Sequence, residues 1–273
     1  MDKVKRPLNY YGSKEKAVGN IHALIPPGID TWVDVFCGSA IVTLSKPRHS
    51  REVINDLNSD VVNLFEVLRT PALAADLYAR VELTPYSEEV LYKVYEAPPT
   101  ECPVERAWRF LVTSWLARGG DAHKTGFRWS KNMTTSPERT WANLPKRLGS
   151  VADRLRGICI RHDDFRKIVA DYDGPSCLLY VDPPYPGPVG RRYAVRMSDQ
   201  DHVDLAEALR ASRSKVIVSM NPDPLYDAAL ADWHRLGIDV LGGGNQTKRE
   251  VMFCNFEPSP LFAGSWAGGG VAA

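Results

Sequence analysis

The tetrapeptide Asp182-Pro183-Pro184-Tyr185 follows directly on the apolar run Cys177-Leu178-Leu179-Tyr180-Val181. Two prolines just beyond a strand lock the backbone into an extended turn and present carbonyls without donors. An aspartate at the carboxyl end of a parallel strand lies where open α/β sheets bind ligands. The carboxylate and a proline carbonyl can each accept one hydrogen of an exocyclic amine. This draws the nitrogen lone pair out of conjugation and frees it to attack. Tyr185 supplies a flat face on which an extruded base can stack. The same four residues also describe a rigid turn with a capping aspartate, and spacing alone leaves that reading open.

Two weaker constellations lie upstream. Val33-Asp34-Val35-Phe36-Cys37-Gly38-Ser39-Ala40 ends a β-prone run in small residues, which let a cofactor approach the backbone. It lacks G-x-G-x-x-G, so it is not a dinucleotide fingerprint. Asp56 closes the next β-prone run, Glu52 to Asp56, and its carboxylate can hold a ribose diol. A helix-capping role suits it equally. Asn9-Tyr10-Tyr11-Gly12-Ser13-Lys14 has the ending of a phosphate loop without its upstream glycine. Tyr10 can pack on an adenine and Lys14 can reach a carboxylate, although read alone this is a surface turn before a helix. Cys37 with His162 or His202 would make a nucleophile and base, but no local sequence supports that pairing. The histidines have no metal-ligand spacing, so no metal is expected.

These residues need a scaffold, and the pattern of short apolar strands alternating with helices supplies one. Thr31 to Phe36, Glu52 to Asp56, Gly157 to Ile160, Cys177 to Val181, Lys215 to Ser219 and Val251 to Phe256 read as strands. Asp60 to Arg69 reads as a helix, and Ser198 can cap another whose apolar face is Val203, Leu205, Ala206 and Leu209. The expectation is an α/β fold with a mostly parallel sheet. Pro71 to Ser150 breaks the alternation and reads as an inserted, mainly helical domain. From Arg106 to Arg161 there are twelve Lys/Arg against three Asp/Glu, a net of +9, within a chain whose total is only +1. The same stretch carries Trp108, Trp115, Trp129 and Trp141, four of the seven tryptophans. Basic residues interleaved with aromatics suit a phosphate backbone and wedged bases, and equally a helical core with a solvated face.

Composition narrows the class further. With 34 Lys plus Arg, 33 Asp plus Glu and 44% hydrophobic residues, the chain is neither a uniformly basic binder nor an acidic disordered one. No apolar run approaches a membrane span, and Met1 to Pro7 leads into no signal-like apolar region. The five scattered cysteines form no C-x-x-C pair, which argues against a disulfide framework or a zinc site. A cytoplasmic protein is expected.

In their order, Tyr10-Tyr11-Gly12-Ser13-Lys14, Asp34 to Ala40, Ile54-Asn55-Asp56-Leu57-Asn58-Ser59-Asp60 and Asp182-Pro183-Pro184-Tyr185 resemble the Dam-like family of adenine DNA methyltransferases. The likeness runs from about Arg6 to Pro258, with secondary matches at Asp164-Phe165 and Gln246 to Val251. Three departures stand out: Ser13 replaces a glycine, Cys37 to Ala40 replaces a more glycine-rich turn, and Asp34-Val35 replaces Glu-Pro.

The resemblance implies a Rossmann-like methyltransferase sheet, S-adenosylmethionine as cofactor, double-stranded DNA as partner and extrusion of the target base. It implies catalytic roles for Asp182, Pro183, Pro184 and Tyr185. Tyr10, Lys14 and Asp34 would contact the cofactor, with Phe36 and Gly38 on its methionine side and Asp56 on its ribose. Asp164 would lie near the cofactor adenine, and Asp182 would touch both cofactor and target amine. The implied organisation is a first catalytic part over 1–70, a target-recognition insert over 71–150, a second catalytic part over 151–257 and a flexible tail over 258–273. In the insert, Arg118, Lys124, Arg128, Lys131 and Asn132 would meet DNA, with Phe127 and Trp129 as wedges or one of them as a core residue. A bacterial or phage-infected cell, a restriction endonuclease partner, and a monomer or weak dimer go with this picture. Transfer to the cytosine amine, or a catalytically silent DNA-binding relative, are the alternatives.

Overall fold

The computed structural model describes residues 4–119, 124–131, 136–241 and 247–258. Its strands are β1 (Thr31–Asp34), β2 (Arg51–Asn55), β3 (Ile158–Arg161), β4 (Cys177–Val181), β5 (Lys215–Met220), β6 (His234–Leu241) and β7 (Thr247–Cys254). They form one sheet in the spatial order β3-β2-β1-β4-β5-β7-β6. β7 runs antiparallel to both its neighbours, and the other pairings are parallel. This is the mostly parallel α/β sheet that the sequence pattern requires. The edge strand β6 is absent from the sequence reading, although Leu236, Ile238 and Val240 alternate with Arg235, Gly237 and Asp239 at the period of a half-buried strand.

The helices in chain order are α1 (Val18–Ala23), α2 (Ile41–Ser45), α3 (Ser59–Arg69), α4 (Pro71–Leu83), α5 (Glu88–Glu96), α6 (Pro103–Leu116), α7 (Pro137–Ala142), α8 (Leu144–Leu155), α9 (Phe165–Asp171), α10 (Asp199–Ala211) and α11 (Pro224–Ala229). Strand β4 is buried along its whole length because helices cover both faces of the sheet. Trp32, Leu178, Tyr180 and Ile217 pack on α1 and α2, whereas Val33, Leu179, Val181 and Val218 pack on α9 to α11. α10 begins at Ser198 with a full capping box, Asp201 answering the Ser198 side chain.

Helices α4 to α8 build a third core cluster around α3, in which Leu64, Phe65 and Leu68 meet Leu77, Leu111 and Leu148. Trp115 and Trp141 are buried in it and Trp108 packs against it, while Trp129 is 56% exposed. Most of the tryptophans in the basic stretch are therefore core residues. Phe127 also packs on this cluster, its ring 5.1 Å from that of Tyr86.

After β1 the chain moves to β2 and β3 on one side, and after β4 to β5 on the other. The crevice between the carboxyl ends of β1 and β4 is thus a topological switch point. Beneath it, a buried ion cluster anchors α2. The Glu52 carboxylate accepts from the Lys46 ammonium and from Arg154 Nη1 and Nη2 at 2.6 and 2.7 Å. Arg154 Nη2 also reaches the Thr43 carbonyl at 3.0 Å, and the Lys46 ammonium sits 4.9 Å above the Trp32 ring. Burial acts to raise the Glu52 pKa, but the hydrogen bonds from Arg154 and Lys46 outweigh it and hold the carboxyl below its ordinary value.

Removing one partner strands the opposite charges in the interior. Glu52→Gln is expected to destabilise the fold by about 3–5 kcal/mol, read as a lower urea midpoint. Because the folded pKa of Glu52 is depressed, its stabilisation is complete above the ordinary carboxylate range and is lost as pH falls through the folded value. The gap between wild type and Glu52→Gln should therefore narrow in acid. A constant gap would show that the ion cluster is not its source.

Candidate active site

Asp34 and Tyr180 are register partners at the ends of β1 and β4, so the residues just beyond them face one another across the crevice. A cleft of about 870 Å³ empty volume, including open solvent at its mouth, lies there. Tyr10, Lys14, Asp34 and Phe36 line it, as do Gly38, Asp56, Asp164, Asp182 and Pro184. Residues singled out in five separate stretches of sequence thus share one wall system. Pro183 and Tyr185 are buried beneath it.

The floor is organised by Lys14, which is 3% exposed. Its ammonium donates to both carboxylate oxygens of Asp182 at 2.7 Å, to the Tyr185 hydroxyl at 2.8 Å and to the Gly12 carbonyl at 3.0 Å. Burial disfavours the Lys14 charge, but the charges of Asp182 and Glu250 outweigh it and raise its pKa. Lys14 thereby sets the orientation of the Asp182 carboxylate in the cleft.

The glycine turn forms the next wall. Gly38 has φ +47°, and a Cβ there would lie 3.0 Å from the Tyr10 ring, so conformation and close approach both demand glycine. Its N–H donates to Asp56 Oδ2 at 2.8 Å, and the Asn58 N–H donates to Oδ1 at 2.8 Å. Asp56 therefore ties the ends of β1 and β2 together while facing the cleft. The departures from a glycine-rich turn are accommodated locally. Ser13 and Ser39 share a hydrogen bond at 3.1 Å, and Ala40 adopts the left-handed conformation at φ +52°. For alanine that conformation costs about 1–2 kcal/mol.

Asp34 is 1% exposed. The Thr43 hydroxyl donates to its Oδ2 at 2.7 Å and itself accepts from the Trp32 indole at 2.8 Å. Oδ1 has no hydrogen-bond partner among the described residues. Burial pushes the carboxyl up to about 7 against the opposing Thr43 bond, and the nearby Asp182 and Asp56 add to the rise. With Asp34, Asp56, Asp164, Asp182 and Asp201 on its walls against Lys14 and Arg196, the cleft is acidic. Its apolar faces include Phe36 and Phe165, with ring centroids 5.9 Å apart. Such a cavity suits a cationic ligand that has a flat ring and hydroxyls.

The structure corrects the reading of Tyr185 as an open stacking platform. The ring is 3% exposed, packed in the sheet core and fastened through its hydroxyl to Lys14. Tyr193 stands edge-on to it at 6.1 Å and to Tyr11 at 5.3 Å, and the Arg192 guanidinium lies 3.8 Å above the Tyr11 ring. The segment bearing Tyr193 follows a 3₁₀ turn, Gly187–Arg192, folded so tightly that a Cβ on Gly190 would meet the Tyr185 carbonyl at 2.3 Å. The sequence reading missed Tyr193 and Glu250. Tyr193 has no periodic or spacing signal, and Glu250 lay inside a stretch noted only as a secondary match.

The residues expected to meet DNA are not cleft residues. Arg118 and Arg128 flank a one-bridge ribbon, Ala117 with Phe127, beyond the end of α6. The Arg118 Nε donates to the Phe127 carbonyl at 3.0 Å, and Lys124 lies 5.5 Å above the Tyr95 ring. The Arg128 backbone is held by the Tyr86 hydroxyl at 2.6 Å, and Lys131 is exposed. Asn132 lies outside the described residues. Among the described residues, no group of three or more His, Cys, Asp or Glu could hold a metal ion, and no helix is long and apolar enough to cross a membrane.

Comparison with known proteins gives this geometry a family. The family model described as D12 class N6 adenine-specific DNA methyltransferase matches residues 10–239. The modification methylase StsI of Streptococcus sanguinis is 36% identical over 67 residues, which is 24% of this chain and 10% of that protein. The type II methyltransferase M.FokI of Planomicrobium okeanokoites is 32% identical over 79 residues, 29% of this chain and 12% of that protein. The matched segments thus cover about a tenth of the length of these relatives.

Asp34 carries a stability signature of its own. Its folded pKa, at about 7, lies above its unfolded value, so the fold binds the extra proton and loses stability as pH rises between the two. Asp34→Asn removes this penalty. The stability of Asp34→Asn relative to wild type should climb from about pH 4 to about pH 7 and then level off. A difference independent of pH, measured by urea denaturation, would mean that Asp34 ionises normally.

Proposed function

The chain belongs to the D12 class of N6 adenine-specific DNA methyltransferases, and on that footing we propose that it transfers a methyl group from S-adenosylmethionine to the exocyclic amine of adenine in DNA. The observation that carries the proposal is the Asp182 carboxylate at the end of β4, oriented by Lys14 in an acidic cleft at the switch point. The names of the two relatives support a modification role.

The cofactor fit is supported by Asp34 Oδ1, a buried carboxylate oxygen that still wants a donor such as an ammonium. Asp56 would take the ribose hydroxyls. Asp164 would take the adenine amine beside Phe165, and Tyr10, Phe36 and Gly38 would enclose the methionine side. When bound, S-adenosylmethionine supplies an electrophilic methyl group. The residues of the chain then act on the amine. One amine hydrogen is donated to Asp182 and the other to the Pro183 carbonyl, which localises the nitrogen lone pair. Because the amine proton becomes acidic only as the new bond forms, Asp182 need not be a strong base. Orientation and charge placement supply most of the acceleration. The adenine must leave the duplex to reach this floor, and Tyr193 must move aside before the base can stack on Tyr185.

Nucleoside mass spectrometry of DNA from cells expressing the chain tests the reaction. N6-methyladenine is expected, whereas N4-methylcytosine or unmodified DNA would refute it. Asp182→Ala should lower transfer about a thousandfold or more, and by stranding the buried Lys14 charge it should also lower the urea midpoint. A folded variant with near wild-type turnover removes Asp182 from catalysis. Asp56→Ala should weaken cofactor binding about 10- to 100-fold in calorimetry, with little effect on DNA affinity. Unchanged cofactor affinity would leave Asp56 a turn residue only.

A further inference from the structure

Three arginines from distant parts of the chain converge outside the cleft. Arg6 comes from the amino-terminal strap, Arg128 from the ribbon after α6, and Arg147 from α8. The Arg6 and Arg147 guanidiniums lie 5.7 and 5.4 Å from the centroid of the Trp115 ring. Trp115 is itself fixed, its indole N–H donating to the Pro7 carbonyl at 2.8 Å. All three arginines are half-buried. Burial lowers the Arg6 pKa; Glu15 opposes this, and the charges of Arg128 and Arg147 add to it.

The charges do not balance. Glu15 pairs with Arg6 Nε at 3.1 Å and is also the carboxylate that acts on Arg147. Among the described residues, neither Arg128 nor Arg147 forms an ion pair with a carboxylate. Glu138, the acid acting on neighbouring Tyr86, is exposed and engaged with the Ser136 cap. Three guanidiniums against one half-exposed carboxylate leave an excess of positive charge in partly desolvated surroundings. Guanidiniums held on an indole face present their donors as a fixed fork, which suits a phosphate better than a base edge.

We infer that Arg6 and Arg147, both over the Trp115 ring, form with Arg128, whose backbone N–H donates to the adjoining Leu116 carbonyl, a clamp for the phosphodiester backbone of the DNA substrate. The clamp rests on the proposed DNA substrate and adds to it a sequence-independent anchor. Five chain steps lead from Arg6 to Tyr11 at the cleft, at most about 18 Å of extended chain. That is about five base pairs of duplex. The clamped phosphate therefore lies close to the base being modified.

The competing role for these arginines is as a cover for Trp115, which their aliphatic stems would perform equally well without charge. Arg6→Met and Arg147→Met keep that cover and remove the charge. Binding to a fluorescent mixed-sequence duplex is followed by anisotropy across a salt titration. Each variant should flatten the log–log salt slope by about 0.9, and the double variant by about twice that. Each should weaken binding at low salt roughly three- to tenfold. Affinity for S-adenosylhomocysteine should stay within about twofold of wild type, and the melting midpoint should not fall, since like-charge repulsion is relieved. If the wild type itself fails to bind duplex, the DNA reading falls and the clamp with it. If the wild type binds and the variants keep its slope, the clamp alone falls. A variant that melts lower or unfolds marks the cluster as structural and also overturns the clamp.

Discussion

A single buried ammonium holds the functional end of this molecule together. Lys14 is almost wholly out of water, and its charge is tolerable only because Asp182, Tyr185 and the Gly12 carbonyl surround it. Its donors are spent on the strap that carries it and on the loop after β4, so neither can move far without stranding a charge. The strap continues this linkage away from the cleft. The Asn9 N–H donates to the Ser114 hydroxyl at 2.8 Å, and the Pro7 carbonyl accepts from the Trp115 indole at 2.8 Å. The cleft floor, the strap and α6 thus form one mechanically connected unit. A duplex gripped on the helical side would be held in fixed register with the Asp182 carboxylate.

The electrostatics of the two surfaces are opposite. The cleft concentrates carboxylates, and burial, with a smaller push from Asp182 and Asp56, drives Asp34 toward neutrality. Bringing in a cation relieves that cost. Around Trp115 the excess is positive, and an anion relieves it. A chain with a net charge of only +1 has therefore separated its charges in space, with an acidic pocket at the switch point and a basic patch around Trp115. Glu52, Lys46 and Arg154 play a different part. They are matched and buried below the crevice, and they hold α2, with Thr43, against Asp34.

Tyr193 adds a steric constraint. Its ring, braced between Tyr11 and Tyr185, stands over the stacking face that Tyr185 would offer a base. Arg192, from the same segment, lies on Tyr11. The mouth of the site is therefore built from aromatic and cationic groups, the chemistry that an incoming nucleotide would replace with its own stacking and phosphate contacts.

The amino-acid sequence by itself determined the sheet class, the strand that ends in Asp182-Pro183-Pro184-Tyr185, the turn at Gly38 and the cap at Ser198. Each of these is a local matter: a buried parallel strand must be apolar throughout, a proline pair must end it, a positive φ calls for glycine, and a cap lies next to its helix. The edge strand β6 was legible too, in the alternation of Leu236, Ile238 and Val240 with Arg235, Gly237 and Asp239, whereas its place beside β7 was not. Only the tertiary structure decided that Tyr185 is buried, that Tyr193 covers it, and that Trp115 and Trp141 are core residues while Trp129 is exposed. It also decided that Arg6 joins Arg147 across more than half the chain. The physical reason is the same in each case. Burial and charge compensation are set by which groups meet in space, and a residue's type and its sequence neighbours do not specify that meeting.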